Sequence, residues 1–349
     1  MNHQILFDST FRNNQTGIGQ DAKVVFLKLG GSFNTKYYSP KFYDRLGFIN
    51  IRKLANLVSL ATPIYFRISS VHRGIFYQPQ VSSIVAGKNI GTWIIRIHDI
   101  FPITNPEWYP WKSRVLFRRN FERAIRLGAI FLCSSKFTRN SIIQLYPDIK
   151  DRISISLCEP REISKELCNA CSGCNKLDSL LNLKFVLAVG TIEPRKNYDG
   201  LVKAWEKLSK IHKDINLVVV GGPGWKTKRT QRMLKNSIGI NIFWLPSACD
   251  GSLNKLYLKC FAYLSSSLEE GFNLPALEAR VLYEKPLVLS NIGVHNELHG
   301  DSAIFFDSPI ELIDIFRSEL RMPQKWQLDL NQGNLGLKDL VTGLSRRPT

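Results

Sequence analysis

Short apolar runs, each too brief for a helix, recur along this chain, and several are followed by a stretch of helical period. That alternation is the constraint that matters most. It calls for α/β architecture with mostly parallel strands, because a parallel return needs a crossover that covers the sheet. In the first half, QILFD (4–8), TWIIRIH (92–98), AIFLCSS (129–135) and RISISL (152–157) read as strands, with helical stretches around 112–127 and 136–146. Residues 31–90 mix aromatic, Pro and Gly positions without clean periodicity. A second series follows: KFVLAVG (184–190), INLVVVGG (215–222), INIFWL (240–245), CFAYLSSS (260–267), KPLVLS (285–290) and AIFFD (303–307), with an amphipathic helix over 200–211. Between the series, 158–181 loses periodicity and gains small polar residues, so it reads as a connector. The expected division is a first domain over 1–170, a linker over 171–183, a second domain over 184–320 and a tail over 321–349. Two parallel sheets of this kind leave a central cleft off their strand C-terminal ends, where such sheets bind ligands.

Charge narrows the partners. The 349 residues carry 47 Lys+Arg against 29 Asp+Glu, a net +18, which favours phosphate-rich ligands, anionic lipid or nucleic acid and is silent on fold. The basic residues are dispersed, which argues against a disordered nucleic-acid arm. KSRVLFRRNFERAIRL (112–127) concentrates six of them beside one acid. It fits a helix lying on an anionic membrane as well as the solvated face of a packed helix. No apolar run approaches the roughly 20 residues that span a bilayer, and the opening MNHQILFDST is too polar for a secretory signal. The expectation is a cytoplasmic protein, at the inner face of the membrane if the basic helix engages it.

Seven cysteines are unevenly placed. Cys133, Cys249 and Cys260 fall in apolar segments and read as buried thiols. Cys158, Cys168, Cys171 and Cys174 have spacings that could hold zinc or an iron–sulfur cluster, but no second spaced pair or nearby His accompanies them, so an unusual loop is the stronger reading.

Two places combine charge with strand ends. GTIEPRKNYDG puts Arg195 and Lys196 just past a strand, where a guanidinium fork and an ammonium suit phosphate oxygens; a solvated basic turn fits the same residues. In EEGFNLPALE, Glu270 stands in a loop and Glu278 about one turn into a helix that Pro275 helps to start. The amides around Phe272, Asn273 and Leu274 offer an anion site. Taken alone, two acids at a helix start are ordinary dipole partners.

Together, GTIEPRKN, VVVGGPGW and EEGFNLPALEA…KPLVLSNIG resemble the donor-binding domain of the retaining family 4 glycosyltransferases, strongly from about 184 to 307. ILFDST…TGIGQ, IHDIFPITNPEWYP and CSSKFTRNSII are similar, more weakly, to the family's first half. The resemblance implies the GT-B fold: two Rossmann-like α/β domains with parallel sheets facing a central cleft. By position it implies that Glu278 contacts the nucleotide ribose and that Glu270 stands at the donor sugar. Phe272, Asn273 and Leu274 face sugar and diphosphate, and Arg195 and Lys196 neutralise the diphosphate. Gly17 and Gly19 form a first-domain loop facing that phosphate, and His98 lies near the reacting sugar. No metal or other cofactor is implied, only a nucleotide-sugar donor. EPRKN is similar to transferases using GDP-mannose, and the acceptor implied is a glycan or a lipid-linked one. The chain departs from the family at Arg280, Glu284 and Asn296, which bears on packing more than chemistry.

Other classes fit less well. A non-catalytic sugar-nucleotide-binding protein would not need His98 and Glu270. A nucleic-acid-binding protein is suggested by charge alone, without a helix-turn-helix or base-stacking module. A nicotinamide oxidoreductase would want G-x-G-x-x-G after a strand.

Overall fold

The computed structural model describes residues 4–8, 17–38, 66–68, 74–81, 84–86, 91–161, 163–166 and 172–317. They fall into two units, one ending at Glu159 and one beginning at Pro160. The first has strands β1 (Gln4–Asp8), β2 (Asn34–Tyr38), β3 (Phe66–Ile68), β4 (Ile75–Gln78), β5 (Ile84–Ala86), β6 (Thr92–Ile97), β7 (Ile130–Cys133) and β8 (Ile153–Ile155). Six of them form a parallel sheet in the order β2-β1-β4-β6-β7-β8, while β3 and β5 pair separately. Its helices include α1 (Gly17–Gly30), α2 (Phe101–Thr104), α3 (Trp111–Arg126) and α4 (Lys136–Leu145).

Alternation along each strand decides which face it feeds. Leu6, Phe76, Ile95 and Phe131 pack with Phe121 and Ala124 of α3 and Ile142 of α4. Ile5, Phe7, Ile75, Tyr77, Ile94 and Leu132 pack with Val25 and Leu29 of α1. Helix α3 therefore anchors through its C-terminal half, and its start leaves Trp111 63% and Val115 48% exposed.

The second unit contains α5 (Ser172–Leu181), β9 (Lys184–Val189), α6 (Tyr198–Ile211), β10 (Ile215–Val220), α7 (Lys228–Asn236), β11 (Ile242–Leu245) and α8 (Asp250–Lys259). It continues with β12 (Ala262–Ser265), α9 (Leu274–Tyr283), β13 (Leu287–Ser290), α10 (Gly293–His299), β14 (Ala303–Phe306) and α11 (Leu312–Ile315). All its strand pairs are parallel, in the order β11-β10-β9-β12-β13-β14. The chain winds outward from β9 to β11, returns to lay β12 on the other side of β9, and winds outward again. The order reverses between β9 and β12, and a crevice opens where their C-terminal loops part. Both faces are covered: Val186, Ala188, Leu217 and Val219 meet Leu201 and Trp205 of α6, whereas Phe185, Leu187, Val218 and Val220 meet Leu253 and Leu256 of α8.

Two expectations change. Residues 171–183, read as linker, contain helix α5, and its Leu177 and Leu180 are buried in the second unit's core. Those two leucines suffice to dock a helix whose polar composition hides it. Cys249 is only partly buried, because it caps α8 and its sulfur accepts from the Ser252 amide. Cys158 is buried beside Arg96, while the Cys174 sulfur lies 3.5 Å from that of Cys249. Cys168, Cys171 and the tail over 321–349 lie outside the described residues.

Candidate active site

The loop leaving β9 is held against the loop leaving β10 backbone to backbone. Gly190 N–H donates to Val220 C=O at 2.9 Å, Ile192 N–H to Gly222 C=O at 2.9 Å, and Gly224 N–H to Ile192 C=O at 2.8 Å. A Cβ at Gly221 would lie 1.9 Å from the Gly190 oxygen, and one at Gly224 would lie 2.4 Å from that of Ile192. Only glycine fits this approach. The loop then makes a 3-10 turn over Pro194–Lys196 and enters α6 through Asn197, whose φ of 52° is a conformation Asn tolerates and whose side chain accepts from Gly200 N–H.

The loop leaving β12 crosses to this turn. Leu268 N–H donates to Arg195 C=O at 2.8 Å, and Ser266 Oγ donates to Lys196 C=O at 3.0 Å. Glu270 is thereby brought between the two cations. One carboxylate oxygen accepts from Lys196 Nζ and from Ser267 Oγ, the latter at 2.7 Å, and the other accepts from Arg195. Arg195 also donates to the Glu193 carboxylate at 2.6 Å and to Glu269 C=O at 2.9 Å. Burial alone would raise the Glu270 carboxyl, but Arg195 and Lys196 outweigh it and hold the group far below the ordinary carboxylate range. Glu269 is only partly buried and shifts upward, chiefly from burial.

Asn273 turns the chain into α9 with φ at 70°. Its amide nitrogen donates to Ser265 Oγ at 3.2 Å and to His295 Nε2 at 2.8 Å, and its oxygen accepts from Tyr263. The Ser290 carbonyl can only accept, so His295 carries its proton on Nδ1, 2.8 Å away. Burial pushes His295 down to about 4, leaving it neutral. Phe272 is buried and Leu274 opens α9, with Pro275 in its first turn. One turn on, Glu278 is 4% exposed, accepting from Tyr257 OH at 3.2 Å and from Arg161 Nε at 3.0 Å.

Sequence-predicted residues Arg195, Lys196, Glu270, Phe272, Asn273, Leu274 and Glu278 thus sit on two loops and one helix start around the reversal of the second sheet. His98, Gly17 and Gly19 belong to the first unit. The glycines are not a loop: both lie in the first turn of α1, because Ala22, Val25 and Leu29, all buried at helical spacing, carry the helix back to Gly17. His98 follows β6, its Nε2 3.7 Å from Asp21, and burial pushes it down to about 4. Asp21 is itself held by the fully buried Arg96 guanidinium, at 3.1 and 3.3 Å. That guanidinium also reaches Cys158 at 3.1 Å. Asp21, His98 and Cys158 cluster with their ligand atoms within 4.8 Å of one another, yet the guanidinium already pairs with two of them and would repel a cation.

Residues 175–318 match the sequence profile of the family described as Glycosyl transferases group 1. Over this segment the chain is similar to the group 1 glycosyl transferases. The chain is 34% identical over 122 residues to a serotype-specific mannosyltransferase WbdA of Escherichia coli, a stretch covering 34% of this chain and 15% of that protein. It is 29% identical over 219 residues to an O-antigen chain mannosyltransferase B of Escherichia coli, covering 61% and 57%. The matches thus span less than two thirds of either relative. Among solved structures, Anabaena HepE in complex with UDP-glucose aligns with a TM-score of 0.58 at 16% identity, covering 99% of this chain and 95% of that one. The likeness is one of fold, the GT-B architecture of two parallel-sheet α/β domains.

Sequence reading missed Arg161, Tyr257, Glu193 and His295. Glu193 lies within the quoted EPRKN run and was legible as a carboxylate two residues from Arg195. Arg161 had no local signal, since its partners Asp250 and Glu278 are 89 and 117 residues away.

Proposed function

We propose that the chain is a retaining hexosyltransferase that moves a sugar from a nucleotide donor, with GDP-mannose as the first choice, to a glycan or lipid-linked acceptor. One observation carries the reading: a buried carboxylate, Glu270, shared by Arg195 and Lys196 at the strand-order reversal, with Glu278 one turn into the helix that follows. The family and the mannosyltransferase relatives support the same chemistry.

Breaking the bond between anomeric carbon and phosphate places negative charge on the leaving diphosphate and positive charge on the sugar. Arg195, Lys196 and the amides near Phe272, Asn273 and Leu274 stabilise the first, and Glu270 grips the sugar. Glu278 takes the ribose hydroxyls. Retention follows if the acceptor hydroxyl attacks from the face the diphosphate leaves, with a phosphate oxygen taking its proton, so no separate base is required. The two cations supply the charge that a divalent ion would otherwise supply, so transfer should persist in EDTA. A lipid-linked acceptor suits α3, which exposes Trp111, Val115, Lys112 and Arg118; no helix among the described residues is long and apolar enough to cross a membrane.

A thermal-shift screen of GDP, UDP, dTDP and their sugars tests the reading, since a ligand of the folded state raises the midpoint. The expected hit is a GDP ligand, followed by EDTA-resistant transfer that Glu270→Ala and Lys196→Ala abolish. No response to any nucleotide, or turnover unchanged in both variants, would overturn it.

A further inference from the structure

Both oxygens of Glu278 are already in use. Tyr257 on α8 donates to Oε2 at 3.2 Å and Arg161 donates through Nε to Oε1 at 3.0 Å. Arg161 is simultaneously bound at 2.9 Å to Asp250, the first residue of α8. The three side chains differ in exposure: Glu278 5%, Arg161 16% and Asp250 42%. Arg161 enters from the segment that opens the second unit, and Ile163, two residues on, fixes that segment in the core. A guanidinium with two carboxylate partners, one buried and one open to solvent, can release the first without losing the second.

We propose that Arg161 is a positioning residue for the donor's ribose: it holds the Glu278 carboxylate ionised and oriented, then yields Oε1 to the incoming diol while staying on Asp250. The inference rests on the donor reading above. It answers a problem that reading leaves open, namely how a carboxylate this deeply buried stays charged before any ribose arrives. Burial drives the Glu278 carboxyl upward, Arg161 and Tyr257 oppose it, and Asp250 adds to the rise. The groups facing it are therefore Arg161 from the entering segment, Asp250 and Tyr257 from α8, and Tyr283 from its own helix, whose ring stacks on Tyr257 at 4.9 Å. Tyr257 and Tyr283 are both shifted upward, chiefly by burial, so both remain protonated and neither changes charge near neutrality. Without Arg161 the carboxyl takes up a proton at higher pH, and a protonated acid is neutral and presents an O–H donor where the diol needs an acceptor.

The sign of the test follows. Calorimetric titration of the full chain with GDP, UDP and dTDP, from about pH 6 to about pH 8.5, compares wild type with Arg161→Gln, Arg161→Lys and Glu278→Gln. For the nucleotide that wild type binds, affinity should be nearly flat across this range. Arg161→Gln should weaken it by about tenfold at the acid end and recover toward wild type at the alkaline end, with Arg161→Lys between the two. Glu278→Gln should bind weakly at every pH. An Arg161→Gln affinity equal to wild type throughout overturns the inference. So does a loss of the same size at every pH, which is what a merely structural role would give. If wild type binds none of the three nucleotides, or Glu278→Gln binds as wild type does, the donor reading itself falls. A failure confined to Arg161 leaves that reading standing.

Discussion

Glu270 and Glu269 are neighbours with opposite environments, and the difference makes a sharp test. Glu270 is 3% exposed and pinned by Arg195, Lys196 and Ser267, whereas Glu269 is half-buried and gives Arg195 a hydrogen bond through its backbone carbonyl. Glu270→Gln keeps the shape but takes the Glu270 charge from both cations, leaving Arg195 with Glu193. We expect it to lower kcat by about 10²–10³-fold, the scale of losing a preorganised charge at a reacting centre, with little rise in the donor KM. Glu269→Ala should stay within about twofold of wild type. If steady-state kinetics find the damage at Glu269 instead, the assignment is off by one residue. Residues of this kind were legible because their spacing lies within one short stretch. Arg161, Tyr257 and His295 were not, since their roles arise only when α8, α9, α10 and the entering segment are folded against one another.

At the scale of elements, the strands of the second unit were readable because burial on both faces demands nearly continuous apolar runs. Helix α5 was not, because two buried leucines in a polar stretch leave little period to detect. The close approach between the loops after β9 and β10 could not be read either; GGPGW names the glycines but not what they meet. Gly221→Ala sets a methyl group against the Gly190 carbonyl at 1.9 Å, so one of the two loops must shift and carry Arg195 and Lys196 with it. The expected loss is on the order of 3 kcal/mol or more in urea denaturation. Gly222→Ala, whose added carbon meets its nearest neighbour at 3.4 Å, should cost far less. Equal midpoints for the two variants would count against this account of the loop.

For the molecule as a whole, buried imidazoles set the acid side of stability. Burial pushes His98 and His295 down to about 4 and His299 down to about 3. An unfolded chain protonates these groups near pH 6.5, before the folded one does, so stability falls as pH drops below that value. The loss should be on the order of 2 kcal/mol per imidazole by about pH 5. The raised carboxyls of Glu269 and Glu278 oppose it, because the folded state takes up their protons first. Urea midpoints that do not move between about pH 7 and about pH 5 would contradict this balance.

The pairing of Arg195 and Lys196 with Glu270 also bears on how the protein meets salt. Cations waiting for a diphosphate in open water collect mobile counter-ions, and raising the ionic strength then competes with the ligand. Here the counter-ion is tethered and buried, so under the proposed function the diphosphate would displace a side chain rather than dissolved salt. Such a site carries its own competitor at a fixed local concentration, and the expectation is nucleotide binding weaker than two bare cations would give and less dependent on ionic strength.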